Sequence, residues 1–209
     1  MPHFRSRRND LHRYEAVLAS RFLDDLPLDS SLSLSQKEEL HLKGYCILLH
    51  AAIEEFVEQT VLEVVDLHCE MWGKRTKLKP TVVLLALLAH MGDKFKEPPV
   101  TTIPTVIVKS SILERLDFAR KAFVRLVHNN HGAGLQHLKT MSRPAAIPID
   151  LDPDTNSALS QLKSYRGEYA HSGRITKVPS VKDLKNISRL CLRLCDQIAN
   201  SAVANCEGI

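Results

Sequence analysis

Two side chains able to do chemistry stand close together late in this chain: Arg166 and His171, within YRGEYAHSG at 165–173. A guanidinium is a planar, permanently charged fork suited to oxyanions, and an imidazole changes protonation near neutrality. Side by side they could hold an anion and move a proton next to it. The spacing alone carries little weight. With fourteen arginines and ten histidines in 209 residues, composition yields about 0.7 such pairs by chance. Arg7 with His12 repeats the spacing, and Arg125 with His131 misses it by one residue.

Context must therefore decide. Leu159, Leu162, Tyr165 and Tyr169 keep a helical core rhythm, and Arg166 lies off that stripe. His171 falls in the last turn, before Ser172 and Gly173, where the negative end of the helix dipole favours the protonated ring. The plainer alternative is a histidine that only caps the helix end.

The elements that must position the pair read as helices throughout. Leu11, Tyr14, Val17, Leu18 and Phe22 form a stripe that Pro27 breaks. Ser35 and Glu38 make a capping box for a long helix carrying Leu49, Ile53, Phe56, Val57, Val61 and Val64, which Gly44 could bend or divide. Pro80 opens an apolar helix that Gly92 ends, expected to be buried or at a subunit interface; a proline-rich loop follows. Ser111 with Glu114 suggests the next start and Gly132 its stop. LQHLKTM reads as a short helix, and Asp154 or Thr155 as the cap of the helix holding Arg166, with Gly173 ending it. Ser180 and Asp183 resemble the cap of a last helix, with Leu184, Ile187, Leu190, Cys191, Leu194 and Ile198 on its apolar face. The expected fold is an all-α bundle of five to seven helices, one domain with an N-terminal helical extension at 1–34 and a core at 35–209.

Composition narrows the rest. The chain is 44% hydrophobic but only 5% aromatic, which suits aliphatic helix packing. A formal charge of +4 tolerates a polyanion without requiring one. Cys46, Cys69, Cys191, Cys195 and Cys206 are odd in number and scattered, with neither a disulfide framework nor zinc spacing, so a reducing interior is expected. No signal-peptide core is evident at the N-terminus, and VVLLALLA at 82–89 is too short to span a bilayer. A soluble cytoplasmic protein is the expectation, with no cofactor. Gly-rich phosphate loops, nucleophile elbows, H-E-x-x-H and EF-hand loops are absent from the sequence. His128, His131 and His137 gather within ten residues but lack a neighbouring carboxylate or thiol, so no metal is expected. Glu54 and Glu55 read first as a solvated face.

RGEYAHSG fits the R-x4-H form of the HEPN superfamily, an arginine followed by a histidine near a helix end. NNHGAGLQHLKTMSRPAAIPIDLD resembles the N-H-G turn, short helix and lead-in of its RiboL-PSP branch, and LLHAAIEEFVEQ resembles that branch's first core helix. The resemblance runs from about residue 40 to the C-terminus. It departs at Gly167, usually polar in the family, and at PAAIPID, which lacks a glycine before Ile149. Members modified by nucleotide transfer carry a tyrosine two positions past the histidine; Gly173 stands there, so that modification is not expected.

What the resemblance implies is a metal-independent endoribonuclease, with Arg166 and His171 catalytic and Glu54 supporting the arginine. Lys163, Arg174 and Lys177, which flank the motif, would track the RNA backbone. Five residues of ideal helix turn through about 500°, leaving Arg166 and His171 about 140° apart and about 7.5 Å along the axis. One helix makes a poor dyad, whereas a two-fold homodimer brings two such pairs into one cleft. The implied setting is a toxin–antitoxin or phage-defence system in which a regulatory partner restrains the nuclease. A HEPN-type RNA-binding or protein-interaction module without catalysis is the alternative, and a helical adaptor in which the motif is coincidental a third.

Overall fold

The computed structural model describes residues 3–28, 34–75, 79–91, 109–129, 132, 134–171 and 179–207. Within them lie seven helices and no strand: α1 (Phe4–Phe22), α2 (Gln36–Arg75), α3 (Pro80–Met91), α4 (Lys109–His128), α5 (Leu135–Ser142), α6 (Pro153–His171) and α7 (Val181–Cys206). No helix among the described residues is long and apolar enough to cross a membrane.

The organising element is α2. Its start is set by the expected box: the Ser35 N–H donates to Glu38 Oε2 at 2.7 Å and the Glu38 N–H to Ser35 Oγ at 3.4 Å. From there it runs unbroken for 40 residues. Gly44 neither bends nor divides it. A Cβ at that position would fall 2.9 Å from the Phe22 ring, so the glycine lets the end of α1 close onto α2. Leu42, Tyr45, Leu49, Ile53, Val57, Val61 and Val64 are wholly buried along its length. Helices α1, α6 and α7 pack around this ridge, with α3 and α4 toward its C-terminal half.

α1 meets the core through Phe4, Leu11 and Leu18, spaced by seven, which keeps one narrow stripe facing inward. Tyr14 and Val17, expected on that stripe, instead sit at its shoulder, 43% and 60% exposed. α1 is pinned by a polar knot as well: Glu15 Oε1 accepts from the Tyr45 hydroxyl and the Ser188 hydroxyl, each at 2.7 Å, tying α1, α2 and α7 at one atom. Burial pushes the Tyr45 phenol far above its ordinary range, so it stays a neutral donor.

Two expected starts move. Ser111 lies inside α4, which is already helical at Lys109, so the Ser111–Glu114 pair does not begin it. The cap of α6 is Asp152 rather than Asp154 or Thr155. Its Oδ1 accepts the Thr155 N–H at 2.8 Å, which leaves Pro153 at the first helical position, where its missing N–H costs nothing. α7 starts as expected, with Ser180 and Asp183 exchanging a full capping box, and all six residues of its expected apolar face are buried. α3 is not apolar-buried all round: Leu85 is buried, but Val83 is 41% exposed. Gly92 and Gly173, the expected stops of α3 and α6, lie outside the described residues.

The link from α5 to α6 is held from behind. Ala146 adopts φ 56°, uncommon for a residue with a Cβ, and its carbonyl accepts from Asn205 Nδ2 at 2.8 Å. Nearby, buried His68 reaches Thr81 Oγ1 at 2.7 Å and the Asn205 carbonyl at 3.1 Å, locking the end of α7 to α2 and α3.

Candidate active site

Arg166 sits two turns from the described end of α6, on a helix whose other faces are committed. Leu159 and Leu162 are buried, Tyr169 is 7% exposed, and Tyr165 packs against the core and stacks on Tyr169 at 12° between planes. That leaves Arg166 half-buried at the border of the core. No carboxylate of the described residues lies within ion-pairing distance of its guanidinium. α6 extends through His171, whose side chain lies outside what is described, as do Arg174 and Lys177.

Around Arg166 the fold gathers residues from three other places in the sequence. From α2 comes His50, 2% exposed, with Glu54 one turn on and His50 Nδ1 at 3.7 Å from Glu54 Oε2. From the turn before α5 comes Gly132, whose N–H donates to Glu54 Oε1. Gly132 has φ +138°, and a Cβ there would lie 3.1 Å from the His137 ring. Gly134, the next described residue, would place a Cβ 3.1 Å from Cδ of Lys163, so the lysine stem lies directly over the turn. Two glycines are needed here, one for its backbone angle and the other for closeness.

Burial drives the His50 ring toward its neutral form, below the ordinary imidazole value of 6.5. Glu54 opposes that shift, while Arg166, Lys163 and His137 reinforce it. Those charges reach His50 from α5 and α6, which places the whole group within one electrostatic neighbourhood. Chemically it offers an uncompensated guanidinium, an ammonium on a flexible stem and a neutral imidazole with a carboxylate at its side. Such a set suits a phosphodiester better than a cation.

Two expectations about Glu54 change. It is not part of a solvated face: Glu55 is exposed, but the Glu54 side chain keeps only 17% of its surface. Nor does it pair with Arg166 among the described residues; its two oxygens are turned to the Gly132 N–H and to His50. The reason is distance along α2, since Glu54 meets the turn before α5 and His50 lies between it and the arginine's neighbourhood. His137 belongs to this cluster rather than to a group with His128, while His131 lies outside the described residues. His50 was the residue sequence reading missed. Its i, i+4 relation to Glu54 was a usable signal, masked because His50 follows Leu49 inside an apolar ladder.

Gly167 has no heavy atom within 4 Å of where a Cβ would stand, so packing does not require it. Gly167→Ala is expected to stabilise the protein by about 0.5–1 kcal/mol by removing backbone freedom from the unfolded chain. Thermal denaturation should then show a rise of roughly 1–4 °C.

Two clefts lie away from this cluster: one of about 500 Å³ lined by His12, Ser188 and Arg193, and one of about 410 Å³ lined by Tyr14, Leu48 and Phe56. Neither is lined by Arg166.

Compared with known proteins, the chain matches the sequence profile of the RiboL-PSP-HEPN family over residues 13–204, a span that takes in every residue of the cluster. The match indicates an RNase-like or RNA-related role. No curated protein and no solved structure matches the chain.

Proposed function

The chain belongs to the RiboL-PSP-HEPN family, and on that premise we propose that it is a metal-independent endoribonuclease working as a homodimer. The observation that carries the reading is the Arg166 guanidinium, without a carboxylate partner among the described residues and beside Lys163 and the glycine turn. In this scheme the nucleophile is the RNA's own 2′-OH, so no activated water is needed. The 2′-O–H bond gives up its proton, O2′ bonds to phosphorus, the P–O5′ bond breaks, and the leaving O5′ takes a proton. His171 assists one or both transfers, and Arg166 holds the phosphate and the charge that develops on it. Lys163, with Arg174 and Lys177, tracks the backbone. Two protomers supply the cleft, because Arg166 and His171 diverge by about 140° on one helix. The family setting supports a cytoplasmic toxin or phage-defence effector restrained by a partner protein.

End-group analysis of RNA treated with the purified protein in EDTA tests this. The expected products carry 2′,3′-cyclic phosphate and 5′-OH ends, and DNA, lacking the 2′-OH, stays intact. Ends of 3′-OH and 5′-phosphate would overturn the mechanism. Gly167 favours a second reading, a HEPN module that binds RNA or protein without cutting. It replaces a residue usually polar in the family, and nothing in the packing calls for a glycine there. Tight RNA binding without cleavage would select that reading.

A further inference from the structure

Glu54 divides its carboxylate between two elements, one oxygen accepting the Gly132 N–H and the other facing His50 at 3.7 Å. A carboxylate on a helix surface has several rotamers open to it. This one is bounded on the α2 side by an imidazole that is itself 2% exposed and has no room to swing away. Beyond Gly132 the contacts continue without a gap. The turn meets the His137 ring through Gly132 and the Lys163 stem through Gly134, and Lys163 and Arg166 project from the same helix one turn apart.

We propose that His50 is a positioning residue for the Arg166 site: its buried ring fixes the Glu54 carboxylate, through which α2 grips the glycine turn and sets its place beside Lys163 and Arg166. The inference rests on the nuclease reading for its effect on catalysis, though not for its effect on the turn. Every charged or titratable group facing the ring fits the role. Glu54 is on its own helix, His137 on α5, and Lys163 and Arg166 on α6; the cations and burial together keep the ring neutral. A neutral ring can donate from Nδ1 toward Glu54 without adding a third positive charge to a site meant for phosphate.

Three proteins decide it: wild type, His50→Phe, which fills the space without a nitrogen, and His50→Asn, whose amide nitrogen can stand where Nδ1 stands. Two readouts are taken on each, RNA cleavage kinetics across pH and hydrogen exchange at the Gly132 amide. His50→Phe is expected to lower kcat by about 100-fold with KM little changed, the usual effect of a reacting geometry displaced by about an ångström. It should also speed exchange at Gly132. His50→Asn should restore most of both, and the pH profile of its kcat should match wild type, since His50 moves no substrate proton. Wild-type kcat in His50→Phe, an equal loss in His50→Asn, or an unchanged Gly132 amide in His50→Phe overturns the proposal. If wild type itself cuts no RNA, the nuclease reading fails while the exchange measurement still decides what His50 does.

Discussion

His171→Ala and Arg166→Ala each leave RNA uncut under conditions in which the wild-type protein cleaves it in EDTA, and each keeps the wild-type helical signal and melting temperature. A positioned acid–base group is typically worth about 10²–10⁴-fold, and one donor to a developing oxyanion about 3–4 kcal/mol, or about 10²–10³-fold. Against a slow nuclease either loss reaches background. The fold is spared because Arg166 makes no ion pair with a carboxylate of the described residues, so its removal strands no buried charge. Arg166→Lys should fall between, keeping the charge while losing the planar fork. Mixing the two inactive variants adds a test of the dimer. If each cleft takes the arginine of one protomer and the histidine of the other, heterodimers regain part of the activity. Full activity in either single variant would remove the motif from the mechanism.

Glu15→Ala carries the largest expected loss of stability. Tyr45 is wholly buried and Ser188 is 2% exposed, and both hydroxyls donate to Glu15 Oε1. Truncating the acceptor leaves two buried donors unsatisfied at about 1–3 kcal/mol each. The melting temperature should drop by roughly 5–15 °C, read by calorimetry or far-UV circular dichroism. Glu15→Gln keeps a carbonyl able to accept both hydroxyls and should cost much less. If it costs as much as the alanine, the carboxylate charge rather than the shared acceptor holds the three helices together.

Helix boundaries governed by local chemistry were readable from the sequence. Ser35–Glu38 and Ser180–Asp183 act within a few residues, and both cap as expected. Ser111–Glu114 has the same pattern yet lies inside α4, because a capping pair is also compatible with helix interior when residues upstream continue the helix. The core stripe of α6 was legible from its period, and so was the isolation of Arg166 beside it. What could not be read was the meeting of Glu54 with Gly132, 78 positions apart, since nothing in either segment names its partner. The resemblance to HEPN proteins suggested that both segments mattered, but the expectation of a Glu54–Arg166 contact assigned the carboxylate to the wrong neighbour. His50 stayed hidden for a related reason. A histidine inside an apolar ladder looks like filler until the side chain opposite it is known.

The unbroken course of α2 has a consequence for how variation at this cluster should behave. Inside a continuous helix every backbone amide and carbonyl is already engaged, so α2 can contribute to its surroundings only through what its side chains are. The turn at Gly132 is the reverse case. It contributes through a main-chain donor and a left-handed angle, and a side chain there would collide with the His137 ring. Natural variants should therefore be constrained by chemical type at 50 and 54 and by shape at 132, two kinds of intolerance converging on a single hydrogen bond.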